Sequence, residues 1–371
     1  MLRAGVRHPD ANEASPVPST SASSQPEEQH DVHQLYVTLN EYLQLEHKFQ
    51  PRLCLPNESE SGEVTTGARD GAAHVLRCLK MWYDLPAEVL IHAINLFDRF
   101  LTKMKVRPCH VPCITVSCMN IAIEQYAENH QLRKVNIEEL VKISQSSCTA
   151  GDVTRMSRVV VDKLALVKGS GVVTSLHWLR LLRSLVAAVA AELRLHPYVT
   201  REIQESSLIN LLEIAVCDAT CANARSSELA LVLLYHKLEL SLVEWSRRAE
   251  CGEMPPVPED TYRLFDFAAQ IQEHCQMSDA SLTSTRALVR GVLARYEARA
   301  AAPHRQRLVW RLSERTLKVL RPTDRLTSLL PTIEEQHFVV DSTPNRKRSS
   351  SESEETSDWP RSPVLPVFCN N

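Results

Sequence analysis

A charged pair sits in the middle of an apolar helix face, and that pair limits what this chain can fold into. Residues 85–106 read LPAEVLIHAINLFDRFLTKMKV. Val89, Leu90, Ala93, Ile94, Phe97, Phe100 and Leu101 recur at the three- and four-residue steps of one helical face. Asp84 is placed to cap the start, and Pro86 falls in the first turn, where its missing N–H costs nothing. Asp98–Arg99 then interrupts the face between Phe97 and Phe100. A carboxylate on the buried side of such a helix needs a cation from elsewhere in the chain. The alternative is that Asp98 points at water.

The rest of the chain reads as helical and globular. Only 9 glycines in 371 residues argue against a sheet-rich or Gly-loop protein, since turns and phosphate cradles both consume glycine. An apolar content of 44% suits about two ordinary cores plus tails. The formal net charge of −3 is wrong for an electrostatic nucleic-acid binder. Eleven cysteines, an odd count without a signal peptide, favour a reduced, intracellular setting. The longest apolar stretch, 176–193, is broken by His177, Arg180 and Arg183, so no membrane span is expected.

Residues 1–30, rich in Ser, Pro, Glu and Gln, are expected to be a disordered tail. An N-terminal helix follows at 31–47, with Val32, Leu35, Leu39 and Leu43 on one face, and 51–67 reads as a linker. Five helices are expected between 68 and 168: 68–83, the opening stretch, 111–127, 137–145 and 151–167. The third (VPCITVSCMNIAIEQYA) is apolar all round and so is expected to be central. The last places Val153, Met156, Val159, Val160 and Leu164 on one side. A second set of five spans 173–299, at 174–193, 207–219, 227–245, 259–275 and 281–298. Ser226 or Ser227 is expected to cap the third of these, with Glu228 in its first turn. Residues 303–326 form a basic amphipathic segment, whose arginines read as a solvated face rather than a nucleic-acid contact. Residues 327–371 read as a polar, disordered regulatory tail.

At INLFDRFLTKMKV the chain resembles the second helix of the cyclin box. Several runs are similar to the cyclin G family: HQLYVTLN, DRFLTKMKV, VTRMSRVVVDK, and LVWRLSERT before LLPTIEE. The resemblance implies an all-α fold of two tandem five-helix cyclin boxes. In that family a buried arginine of the preceding helix pairs with the aspartate, and Arg69 stands 29 positions before Asp98. In kinase-activating cyclins a lysine of the third helix and a glutamate of the fifth meet the kinase. Their places here fall on Glu124 and Ser157, and no Lys or Arg occurs between 108 and 132. Reversing one charge and deleting the other removes complementarity that fixes register, which puts ordinary kinase activation in doubt. The docking patch that other cyclins build around the first-helix arginine is eroded, with Gly71, Ala72 and Val75 where larger groups are typical.

The resemblance also implies a partner, since cyclin G engages protein phosphatase 2A through its B-prime regulatory subunits. Residues 330–335, LPTIEE, fit the L-x-x-I-x-E docking motif, with Leu330 and Ile333 as apolar anchors and Glu335 as the charged one. The competing reading makes Leu330 a packing anchor on the second box. Residues 349–360 (SSSESEETSDWP) resemble a PEST-type turnover segment. Thr343, Ser349, Ser351 and Ser362 are candidate phosphorylation sites, where added phosphate would deepen the negative block. The basic cluster 346–348 is a solvated charge run or an import signal.

No enzyme constellation is present: the chain lacks a Gly-rich phosphate loop, a nucleophile elbow and HExxH. Cys109, His110, Cys113 and Cys118 lack a CxxC pair and read as small hydrophobes rather than zinc ligands. No catalytic residue, cofactor or metal is therefore expected. The expected role is a non-catalytic regulator in the nucleus and cytoplasm, recruiting the phosphatase in cell-cycle and growth control. Two alternatives stand: an activating subunit of a cyclin-dependent kinase, and a nucleic-acid-binding cyclin fold. Against the latter, 65–168 holds 14 Lys/Arg to 10 Asp/Glu, and 173–299 holds 13 to 16.

Overall fold

The computed structural model of the chain describes residues 32–59, 62–132, 135–167, 169 and 171–301. Among the described residues the chain is all-α. Two groups of helices each wrap a central apolar helix, with one further helix at the N-terminus.

In the first group, α2 (Thr66–Tyr83), α3 (Ala87–Lys103), α5 (Ile137–Ser144) and α6 (Ala150–Leu164) surround α4 (Val111–Ala127). Helix α4 is buried on every side from Ile114 to Ile123, which is why its sequence shows no polar stripe. The second group, α7 (Ser175–Glu192), α8 (His196–Glu202), α9 (Glu205–Val216), α11 (Asp260–His274) and α12 (Asp279–Ala301), packs around α10 (Ser226–Glu250). The short helix α8 adds to the five helices expected there. Its seven residues, HPYVTRE, are too few to show a periodic face.

Helix α1 (Val32–Phe49) precedes the first group in sequence but packs against α7 in the second. Leu35 and Leu39 are buried there, and the Tyr42 ring meets Trp178 edge-on with centroids 5.6 Å apart. The linker after α1 contacts both groups. Leu53 exchanges two hydrogen bonds with the Asn223 amide (2.7 and 2.8 Å), and Arg52 N–H donates to Thr102 Oγ1 at 3.1 Å.

Four expectations are corrected. Asp84 does not cap α3. It closes α2 in the left-handed conformation (φ 52°), with Leu85 N–H reaching back to the Lys80 carbonyl at 2.9 Å. Pro86 then stands at the N-cap of α3 with no side-chain cap, one position earlier than expected. Neither Ser226 nor Ser227 caps α10: Glu46 of α1 does so from across the molecule, accepting from Ser227 N–H at 2.7 Å. Val159 is 41% exposed, because the inward face of α6 runs through Val153, Val160 and Leu164.

Candidate functional site

The densest buried chemistry lies where α2 meets α3 and α9. Helix α2 turns Ala72, Ala73, Leu76 and Leu79 into the core, and the same face carries Arg69 to full burial. Asp98 arrives on α3 between Phe97 and Phe100 and is 3% exposed. The structure brings these two together. Arg69 Nε donates to Asp98 Oδ1 at 2.9 Å and Arg69 Nη2 to Asp98 Oδ2 at 2.6 Å, a forked pair. Burial alone would pull the guanidinium pKa down, but the Asp98 charge and its hydrogen bonds more than offset this and hold it raised.

The pair does more than anchor α2 to α3. Arg69 Nη2 also donates to the Val216 carbonyl at 2.8 Å, at the C-terminal end of α9 in the second group. Asp70 extends the link: its Oδ1 accepts from Arg69 Nη1 at 3.3 Å and from Ala219 N–H at 2.7 Å. Desolvation pushes the Asp70 carboxyl up to about 6, against the pull of Arg69 and with the help of nearby Asp218. On the next turns of α2, Lys80 Nζ binds the buried carboxylate of Glu213 at 2.7 Å, and Arg77 approaches its other oxygen at 3.6 Å. One face of α2 thus ties the two helix groups together through charge-assisted bonds. On the same helix Ala72 is buried, while Gly71 and Val75 are half-buried.

Glu124 and Ser157 lie on α4 and α6, which pack side by side. Ser117 Oγ donates to the Val153 carbonyl at 3.2 Å across that seam. Glu124 is exposed near the end of α4 and accepts from Asn120 Nδ2 at 2.9 Å. Ser157 is half-buried on α6, its hydroxyl shielded from solvent and without a hydrogen-bond partner. Leu330, Ile333, Glu335, Thr343, Ser349, Ser351 and Ser362 lie outside the described residues, as do the basic segment 303–326 and the cluster 346–348.

Sequence reasoning missed the buried carboxylates Glu46 and Glu213, and placed Glu228 in the first turn of its helix without its partners. Glu46 joins Arg225 (2.8 Å) to the α10 N-terminus. Glu228 accepts from both Ser281 (2.9 Å) and Thr285 (3.2 Å) of α12. Glu213 receives Lys80 and Arg77. The signal that singled out Asp98, an acid inside an apolar run, also marks LLEIAV and SSELALV. Among the described residues, no group of three His, Cys, Asp or Glu side chains is arranged to hold a metal ion. No described helix is long and apolar enough to cross a membrane.

Comparison with known proteins agrees with this architecture. The description "Cyclin, N-terminal domain" matches residues 38–166, from α1 through α6. The chain is 41% identical to Cyclin G of Drosophila melanogaster over 339 residues, covering 90% of this chain and 57% of the fly protein. It therefore spans a little over half of that relative's length. It is 30% identical to Cyclin-G2 of Mus musculus over 309 residues, which cover 81% of each chain. The crystal structure of a viral cyclin from herpesvirus saimiri aligns with a TM-score of 0.47 at 12% identity, covering 71% of this chain and 99% of the viral one. A two-group helical protein with a cyclin N-terminal domain is of the cyclin class. Within that class, the chain belongs to the cyclin G family.

Proposed function

We propose that this chain is a non-catalytic adaptor in cell-cycle and growth control that recruits protein phosphatase 2A through a B-prime regulatory subunit. One observation carries the reading: Leu330, Ile333 and Glu335 stand at the L-x-x-I-x-E spacing, within a polar stretch of sequence beyond the last described helix of a cyclin G-family chain. A short peptide loses ordering entropy on binding, so a few anchors must supply most of its affinity. Pro331 restricts the free peptide and reduces that loss.

Calorimetry with a peptide spanning residues 328–338 tests the reading. Binding to an isolated B-prime subunit is expected at roughly micromolar strength, equivalent to about 8 kcal/mol. In the whole chain, Leu330→Ala with Ile333→Ala should abolish capture of the phosphatase while leaving the melting temperature unchanged. The competing reading of Leu330 as a packing anchor requires the reverse, lowered melting with the phosphatase still captured.

The cyclin N-terminal domain favours a second reading, a regulatory subunit of a cyclin-dependent kinase. Kinase activity co-purifying with the chain would distinguish it. The charge balance of the two helix groups gives no support to a nucleic-acid-binding role. We place the adaptor in both nucleus and cytoplasm, with residues 349–360 acting as a turnover signal. Deleting that segment should then lengthen the protein's half-life after translation is blocked.

A further inference from the structure

The cleft between the start of α4 and the start of α6 is rich in sulfur. Cys109, Cys113 and Cys148 line a cavity of about 310 Å³ together with Asp152 and Arg155. Both Cys113 and Cys148 line this same cavity, close enough for the Cys148 side chain to act on Cys113. They come from different elements. Cys113 is in the first turn of α4, whereas Cys148 lies in the bend between Gln145 and Thr149, the residue that caps α6. One turn further along both helices, the Ser117–Val153 bond fixes the spacing of α4 and α6. A disulfide needs its Cβ atoms about 3.5–4.5 Å apart. Two thiols lining one cavity reach that geometry by side-chain rotation and a small movement of the non-helical bend.

We propose that Cys113 and Cys148 form an oxidisable dithiol, closed to a disulfide by peroxide, that locks the start of α6 to the start of α4. Burial pushes the Cys113 thiol up to about 11, with the neighbouring Cys148 adding to the effect. With Cys148, which lies in the non-helical bend, as first nucleophile, the thiolate attacks the peroxide O–O bond. One oxygen leaves as water and the other becomes the sulfenic hydroxyl of Cys148. The Cys113 sulfur then attacks the Cys148 sulfur, the S–S bond forms, and the hydroxyl leaves with a proton as a second water. Two thiols give up two protons and two electrons, and one hydrogen peroxide becomes two waters.

The bond would close a loop containing all of α5 and would brace the α4–α6 seam. Glu124 and Ser157 lie further along the same two helices. Cys118, next along α4, is fully buried and is not part of this chemistry.

The test uses the full chain, reduced, exposed to hydrogen peroxide, alkylated and digested. Tandem mass spectrometry of the wild-type protein assigns each sulfur directly. The expected product is a fragment pair joined at Cys113 and Cys148, two hydrogens lighter than the reduced pair and separated by dithiothreitol. The bond should persist in Cys109→Ser, where an exposed thiol is removed, and disappear in Cys148→Ser. Because the native geometry accommodates the bond, the oxidised protein should melt several degrees higher than the reduced one. Three results would overturn the proposal: alkylation of both thiols after peroxide, a bond from Cys148 to Cys109 instead, or a lowered melting temperature on oxidation.

Discussion

Arg69 and Asp98, 29 positions apart on successive helices, meet through two hydrogen bonds of 2.9 and 2.6 Å with both side chains almost fully buried. The third bond of Arg69, to the Val216 carbonyl, makes this pair a joint between the two helix groups as well as within the first. A buried pair of this kind is costly to break and cheaper to replace whole, because a lone partner is left charged and unpaired.

Asp98→Ala should therefore destabilise the protein by about 3–5 kcal/mol. Asp98→Ala should also loosen α9, since Arg69 would no longer be aimed at Val216. The double variant Arg69→Met with Asp98→Leu should be more stable than Asp98→Ala alone, despite carrying one more substitution. Urea unfolding gives the stabilities, and amide exchange at the end of α9 reports the joint. Equal stability of wild type and Asp98→Ala would show that the pair holds nothing together.

One buried and one half-buried group make opposing contributions to acid stability. Burial holds His92 down to about 4, with Gln125 supplying its hydrogen bond at 2.6 Å and favouring the proton. The unfolded chain takes up that proton near pH 6.5, so stability falls as pH is lowered from about 6.5 to 4. Asp70 acts in the other direction. Its folded value is raised to about 6, so between pH 6 and the unfolded value near 4 only the folded chain keeps the proton, and stability rises as pH is lowered. Asp70 is partly wet and its effect is the smaller, so the wild type should lose stability gently below pH 6.5. Asp70→Asn should steepen that loss, and His92→Gln should flatten or reverse it. Urea midpoints measured from pH 4 to 8 test both signs.

The fold was legible in the sequence wherever one helix face carried the information. Residues 111–127 are apolar all round, and α4 occupies that span. Asp98 between two phenylalanines required a counter-ion, and Arg69 supplies it. What stayed hidden depends on the approach of distant segments. Nothing near Ser227 in the sequence indicates that its N–H bonds to Glu46, 181 residues earlier, or that α1 lies on α7 rather than on the helices it precedes. Asp84 misled for a different reason. An aspartate before Leu-Pro suits a helix start, but the tight α2–α3 connection needs a left-handed residue there.

The Glu46 contact leads to a third prediction. Its carboxylate satisfies Ser227 N–H and Arg225 Nη2 together, so Glu46→Ala leaves a buried donor and a partly buried cation without this partner. A cost of about 2–3 kcal/mol is expected, at the upper end for a helix cap because the acceptor is charged and buried. Glu46→Gln keeps a neutral acceptor and should cost less. Deleting residues 1–49 should be at least as damaging as Glu46→Ala, since it also strips Leu35, Leu39 and Tyr42 from α7. Thermal melts of the three variants give the order, and a fully stable Glu46→Ala would remove α1 from this role.

The last prediction concerns the α4–α6 seam. If kinase engagement relies on a cation near the end of α4 and a carboxylate on α6, this chain presents Glu124 and Ser157 instead. The exposed Glu124 carboxylate is held by Asn120, so a partner carboxylate meeting α4 there faces repulsion rather than a salt bridge. The wild-type chain should then activate cyclin-dependent kinases poorly in a histone phosphorylation assay. Glu124→Lys with Ser157→Glu should raise kinase affinity about tenfold, equivalent to about 1.4 kcal/mol, since both charges would lie at a solvated rim. Glu124→Gln alone should recover only part of that gain, by removing the repulsion without adding an attraction. Ser157→Glu must carry its larger side chain out of a half-buried position, beside the exposed Arg155 and Arg158, so melting curves should accompany the binding data. Robust activation by the unmodified chain would show that a different surface of this protein meets the kinase.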